Sequence, residues 1–219
     1  MNARPLLASI AASLWLMSAC AGPSAHPDAC TLELTSDVAN ACVVSNGVLW
    51  RGGKPASQGA LALMNKGVGT VVNLEMLHSD KDAFRQAKGA PPRSVDYFEV
   101  PEWEPNVVIA PGRVDDSVAE FIAIVRSQPR PVYVHCRSGQ NRTGVMVAAY
   151  RILEEGVPVE SAIEEMGRFN GVWFSQDAAY LRGLSAERAA QVKALADRKR
   201  AGLRRAARFD CGEQGCVLK

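Results

Sequence analysis

Cys136 ends the apolar run Val132-Tyr133-Val134-His135 and precedes the polar stretch Arg137-Ser138-Gly139-Gln140-Asn141, after which Arg142, Thr143 and Gly144 open a second apolar segment. A cysteine closing a buried strand, a polar turn and a helix start together make an anion cradle. Backbone N–H groups in such a turn can all point inward, and the first turn of a helix adds unpaired donors and the positive end of its dipole. The same field activates a cysteine, so Cys136 is the candidate nucleophile. Arg142 supplies a planar fork able to grip two phosphate oxygens at once. Thr143 can donate a hydrogen bond to the sulfur when it leaves. Arg137, Ser138, Gly139, Gln140 and Asn141 complete the expected phosphate-binding loop.

The elements that must position this loop are legible as alternating periods. Val48 to Arg51 reads as a strand, Ser57 to Lys66 as a helix and Thr70 to Leu74 as a buried strand. Ser79 to Lys88 reads as helical, Val95 to Val100 as a strand, and Pro101 to Val114 as a long Pro- and Gly-containing loop. Asp115 or Asp116 can cap a helix carrying Val118, Phe121, Ile122 and Val125 on one face, before a strand over Pro131 to His135. Helices follow over Thr143 to Glu155, ended by Gly156, over Val159 to Arg168, and over about Gln176 to Arg208. The pattern predicts an α/β fold, with a central, mainly parallel sheet flanked by helices.

With 219 residues, 47% hydrophobic and 22% charged, the chain can bury one good core. A net charge of +2 gives no reason to expect nucleic acid. The three histidines show no metal-ligand spacing, so neither a metal nor a cofactor is expected. At the N-terminus, Arg4 precedes an apolar run from Leu6 to Met17, and Met17-Ser18-Ala19-Cys20 is similar to the lipobox of bacterial lipoproteins. Export is the expectation, to the periplasmic side of a bacterial membrane. Cys20 is then the candidate lipidation site, or else an incidental residue after an ordinary cleaved signal. Cys30, Cys42, Cys211 and Cys216 remain as disulfide candidates in an oxidising compartment, paired locally or pinning the two tails together. Arg198, Lys199, Arg200, Arg204, Arg205 and Arg208 make the last segment basic, either a solvated face or one that meets anionic headgroups.

The sequence His135-Cys136, five residues, Arg142-Thr143 resembles the signature loop of the protein tyrosine phosphatases. Leu49-Trp50-Arg51-Gly52-Gly53-Lys54-Pro55 and Gly69-Thr70-Val71-Val72-Asn73-Leu74 are similar to the opening elements of the atypical dual-specificity phosphatases. The resemblance runs from about Val48 to Leu184. It implies a tyrosine phosphatase-like fold and a metal-independent phosphomonoesterase acting on a phosphorylated protein or small molecule through a phosphocysteine at Cys136. The family's acid is an aspartate on the loop before the helix that precedes the cysteine strand. Here that loop reads Pro101-Glu102-Trp103-Glu104-Pro105, so either Glu104 is the expected general acid, with Glu102 the runner-up, or the step runs without one. His135 is expected to be structural. Trp103, Trp173 and Phe174 are pocket or packing residues, and Arg51 and Lys54 fall near the loop. An inositol polyphosphatase, a phosphate-binding pseudophosphatase, and a sulfur transferase or arsenate reductase are the competing readings. The expected organisation is a signal peptide over 1–19, a tether and disulfide-held segment over 20–46, a phosphatase domain over 47–185, and a basic helix with a Cys-containing tail over 186–219.

Overall fold

Short apolar runs have become strands and longer amphipathic ones helices, as their periods require. The computed structural model describes residue 30 and residues 34–219; the N-terminal apolar run and Cys20 lie outside the described residues. In chain order the elements are β1 (Cys42–Ser45), β2 (Leu49–Gly53), α1 (Ser57–Lys66), β3 (Thr70–Asn73), α2 (Lys81–Arg85), β4 (Arg93–Glu99), α3 (Asn106–Ile109), α4 (Pro111–Ser127), β5 (Val132–Cys136), α5 (Asn141–Glu155), α6 (Val159–Arg168), α7 (Ser175–Arg182), α8 (Ala186–Lys199), β6 (Ala207–Gly212) and β7 (Gly215–Leu218). The seven strands form one sheet in the order β1-β2-β5-β3-β4-β6-β7. Its centre, β2-β5-β3-β4, is parallel. Antiparallel β1, β6 and β7 extend the two edges.

Parallel strands are buried on both faces, so their sequences lack alternation. All residues of β2, β3 and β5 are buried. One apolar layer lies under α4, α5 and the later helices, with Phe121, Ile122, Met146, Leu153, Leu181 and Val192. The opposite layer contains Leu63, Met64, Phe84, Tyr97, Phe209, Cys211 and Cys216. Phe209 is fully buried, stacks on Phe84 at 5.5 Å and meets Tyr97 edge-on at 5.9 Å.

Several sequence expectations need correction. Helix α4 starts at Pro111, whose fixed φ suits a first helical position, so Asp115 and Asp116 lie inside the helix and cap nothing. Asp115 instead accepts from Tyr180 Oη at 2.8 Å and from Arg188 Nε at 3.0 Å. The expected helix over Gln176 to Arg208 is two helices, α7 and α8, and the chain then turns into β6. Pairing of Arg93–Tyr97 with Ala207–Cys211 draws this basic segment into the sheet against its local helical preference. Residues 42–45 and 207–218 therefore fold with the sheet that carries the loop. The disulfides take the local connectivity, Cys30 to Cys42 and Cys211 to Cys216, and Cys136 is the free cysteine among the described residues. No described helix is long and apolar enough to cross a membrane.

Beneath the loop runs a buried polar chain. His135 Nε2 lies 3.3 Å from Asp80 Oδ2, both side chains fully buried, and Asp80 Oδ1 accepts from Tyr97 Oη. Asn73 Nδ2 donates to Tyr97 Oη at 3.0 Å. Burial opposes the charge on Asp80, but His135 beside it and the hydrogen bond from Tyr97 hold its carboxyl below the ordinary aspartate value. His135 thus lies fully buried beside Asp80, which Tyr97 joins to β4.

Two outcomes are expected. Phe209→Ala should lower unfolding free energy by about 3–5 kcal/mol, read by urea denaturation, because it empties the centre of an aromatic cluster. A carboxyl held low in the folded state contributes stability that is complete above its unfolded value, about 3.9, and is lost as pH falls through the folded value. Asp80→Asn should therefore lower stability at neutral pH and flatten the acid limb of the stability curve below about pH 4.

Candidate active site

Cys136 is the last residue of β5 and is 2% exposed. Three successive loop carbonyls are turned outward onto donors from the N-terminal part of the chain. Arg137 O accepts from Lys54 N at 3.2 Å, Ser138 O from Asn40 Nδ2 at 2.8 Å, and Gly139 O from Arg51 Nη2 at 2.6 Å. In a trans peptide the N–H points opposite to the C=O. The amides of Ser138, Gly139 and Gln140 accordingly face the other side, and among the described residues they donate to no protein acceptor. Helix α5 begins next, at Asn141, with no side-chain cap on its first turn. The loop therefore carries free amides beside an uncapped helix start, the kind of donors that anion binding needs.

Glycine is required at one turn of this loop. Gly139 has φ +73°, and a Cβ there would stand 2.4 Å from Gly52 C and 2.6 Å from Gly53 N. The loop thus rests directly on the end of β2. Asn141 directs its side chain away from the expected phosphate position: Nδ2 donates to Gly171 O at 2.7 Å and to Asp177 Oδ2 at 2.8 Å. Asp177 also accepts the amides of Trp173 and Phe174, both at 2.9 Å, so it locks the α6–α7 loop to the start of α5. Of the expected phosphate-binding residues, Arg137 is exposed, Ser138 and Gln140 are half-buried and Gly139 is buried.

Arg142 Nη1 donates to Leu74 O at 3.4 Å, and its Nε lies 2.8 Å from Glu104 Oε1. Glu104 is thus brought to the guanidinium that is expected to hold phosphate. Glu102 is buried at 4% exposure; Oε1 accepts from Asn106 Nδ2 at 2.6 Å, and buried Oε2 has no hydrogen-bond partner among the described residues. Thr143 is fully buried, and its Oγ1 makes no hydrogen bond to a described residue, Cys136 included. Lys54 is 3.6 Å from Glu75, a carboxylate otherwise hidden from solvent.

Three loops touch the catalytic loop and carry exposed apolar side chains. The loop after β3, joined through Leu74 to Arg142, bears Met76 and Leu77; the loop after β4, joined through Glu104, bears Trp103 and runs into Val108 and Ile109 of α3. The α6–α7 loop, joined through Gly171 to Asn141, bears Val172, Trp173 and Phe174. Trp103, Trp173 and Phe174 therefore belong to the rim and not the core. The basic C-terminal segment is partly neutralised from within: Lys199 meets Asp116, and Arg205 and Arg208 meet Asp96. Asn40 and Asp80 were invisible as site residues in the sequence, since each makes its contact with the loop region across a long stretch of chain. Asp177, three residues after Phe174 at a helix start, carried a local capping signal.

A family model described as PTP-NADK, a DSP-PTPase phosphatase fused to NAD+ kinase, matches residues 32–181. The dual specificity protein phosphatase TpbA of Pseudomonas aeruginosa is 42% identical over 79 residues, 32% of this chain and 35% of that protein. The chain thus spans about a third of the length of the curated relatives it matches. Among solved structures, P. aeruginosa TpbA superposes with a TM-score of 0.61 at 26% identity, covering 77% of this chain and 98% of that one. A TpbA variant in complex with pTyr gives 0.60 at 25% identity, covering 78% and 99%. The catalytic core of the PP-IP phosphatase SIW14 from S. cerevisiae gives 0.55 at 16%, covering 71% and 91%, a likeness of fold alone. The loop geometry and the match across residues 32–181 lead to one assignment: the chain belongs to the DSP-PTPase family described as PTP-NADK.

Proposed function

We propose that this protein is a metal-independent phosphomonoesterase that works through a phosphocysteine at Cys136 and acts on phosphotyrosine or a similar aryl phosphate. The observation that carries the proposal is the set of loop amides of Ser138, Gly139 and Gln140, free of protein acceptors and backed by the uncapped start of α5 and by Arg142. Donors fixed in advance toward one point stabilise the charge spread over equatorial phosphoryl oxygens in the transition state. Cys136 Sγ attacks phosphorus in line, the bond to the leaving oxygen breaks, and a carboxylic acid gives that oxygen a proton. Water then attacks the phosphocysteine, the same carboxylate takes the water's proton, and the thiolate and phosphate separate.

Glu104 is the proposed acid. Its carboxylate and a bound phosphate would compete for one guanidinium, because Arg142 Nε already lies 2.8 Å from Glu104. Substrate binding at Arg142 thereby releases the carboxyl toward the leaving group. Glu102 is held by Asn106 and is buried, so it needs a larger movement to reach solvent-side oxygen.

Substrate class follows from the walls. Arg51, Lys54 and Arg142 are cations in contact with the loop region, but Arg51 is fully buried, while Lys54 meets Glu75 and Arg142 meets Glu104, which gives no exposed basic platform for several phosphates. The rim residues Met76, Leu77, Trp103, Trp173 and Phe174 instead offer apolar and aromatic contact to a ring. The buried position of Cys136 favours a rigid aryl ester over a short serine ester. TpbA, whose structure with pTyr superposes on this chain, supports the same choice. The proposal includes export and lipidation at Cys20, with a membrane surface as a partner; two disulfides in a chain of this size support an oxidising compartment.

Cys136→Ser should bind phosphate and lose turnover of p-nitrophenyl phosphate; measurable residual turnover would remove the covalent step. Glu104→Gln should slow hydrolysis of an ester with a poor leaving group by roughly 100-fold and of one with a good leaving group by much less. If Glu102→Gln alone shows that pattern in steady-state rates, the acid is Glu102.

A further inference from the structure

The phosphate cradle depends on peptide planes that point the wrong way for ordinary secondary structure, and something must hold them there. Two side chains outside the Cys136–Thr143 stretch make that contact. Asn40 Nδ2 donates to Ser138 O at 2.8 Å across 98 residues of sequence, and Arg51 Nη2 donates to Gly139 O at 2.6 Å across 88. We propose that Asn40 and Arg51 are positioning residues for catalysis, which fix the peptides 138–139 and 139–140 with their N–H groups toward the phosphate. The inference rests on the phosphatase reading and adds to it a part of the chain that contains no reacting atom.

Both residues are themselves held in place. Asn40 sits at φ +55°, a left-handed conformation that asparagine tolerates better than most residues. Ala39 O, just before it, accepts from Gly53 N at 2.8 Å, and Cys42, just after it, is bonded to Cys30. Cys30 N in turn donates to Val43 O at 2.8 Å. The disulfide-held segment is thus buttressed on the end of β2 and delivers one carboxamide to the loop. Arg51 lies on β2 itself, has no exposed surface, and packs its guanidinium 4.0 Å from the centre of the Phe169 ring. Burial lowers its pKa to about 10, against the opposing charges of Glu165 and Cys136, so it remains a cation at neutral pH and its bond to Gly139 O is charge-assisted. A buried cation below an anion loop serves twice, as a donor to the carbonyl and as a positive charge behind the phosphate.

The contrast with Lys54 is informative. Its contact with Arg137 O comes from the backbone N–H, which any residue but proline would supply. Among the described residues only Asn40 and Arg51 reach these carbonyls through side chains, so these two can be removed cleanly by substitution.

The test uses the folded protein and inorganic phosphate as the probe. Phosphate protection of Cys136 against iodoacetamide reports anion affinity without turnover, and steady-state hydrolysis of p-nitrophenyl phosphate reports kcat and KM. Asn40→Gly keeps the left-handed backbone and removes only the carboxamide. It should weaken phosphate protection roughly tenfold, the scale of one lost hydrogen bond, and lower kcat while the thermal midpoint stays within a few degrees of the parent. Asn40→Asp, isosteric but presenting an oxygen to Ser138 O, should lose more than Asn40→Gly. Arg51→Lys, which retains charge and a donor, should keep more activity than Arg51→Met. If Asn40→Gly protects and turns over like the parent, the inference falls and the phosphatase reading stands. A loss that follows the thermal midpoint across all four variants, with no rescue by lysine, assigns a purely structural role and also overturns it. If phosphate fails to protect the parent protein and no ester is hydrolysed, the phosphatase reading itself falls.

Discussion

A phosphoryl group can be gripped by a main chain only where consecutive N–H groups are free, and free N–H groups inside a protein are costly unless the carbonyls bonded to them are satisfied elsewhere. The turn after Cys136 meets that constraint by facing its carbonyls outward, toward Lys54, Asn40 and Arg51, and its amides inward. Everything nearby serves this reversal. β2 must end beside β5 so that Gly52 and Gly53 can receive Gly139, and the two strands are register-paired from Leu49↔Val132 to Gly53↔Cys136. Any side chain at Gly52 would strike the Tyr133 hydroxyl, 2.3 Å from an ideal Cβ, and that hydroxyl in turn donates to Gly53 O.

The apolar layers explain why such a loop can be held rigidly. The strand that ends in Cys136 lies inside a parallel sheet and is buried along its whole length. The buried Asp80, His135, Tyr97 and Asn73 chain adds directional contacts where apolar packing alone would leave rotation free. The rim is less buried. The loop after β4 carries Glu104 and the exposed Trp103, and its short helix α3 has no buried residue.

The sequence was most legible where chemistry and geometry are local. A cysteine closing an apolar strand, a glycine turn and an arginine opening a helix all fall within nine residues, and the fold class followed from the alternation of periods around them. The reading was incomplete wherever partners are remote. Asn40 carries no local pattern that links it to Ser138, and Arg51 was noticed only as a neighbour. The segment Arg204 to Arg208 has residues that favour a helix, yet edge pairing with β4 made its end a strand; Gly212 and Gly215 between two cysteines were the turn signal that argued for a hairpin. The start of α4 was misread because two aspartates drew attention from Pro111, which fits a first turn better than either.

The cysteines give the molecule a divided chemistry. Four of the described sulfurs are cross-linked near the two sheet edges, while the fifth sits alone and almost covered at the end of the central strand. The cross-link at Cys42 and the thiol at Cys136 are connected by a short mechanical path through Asn40 and Ser138. A strong reductant would slacken that path from the edge, and a strong oxidant would disable the sulfur at the centre. The paired sulfurs and the lone thiol therefore answer to opposite conditions, the pairs to reductants and the thiol to oxidants.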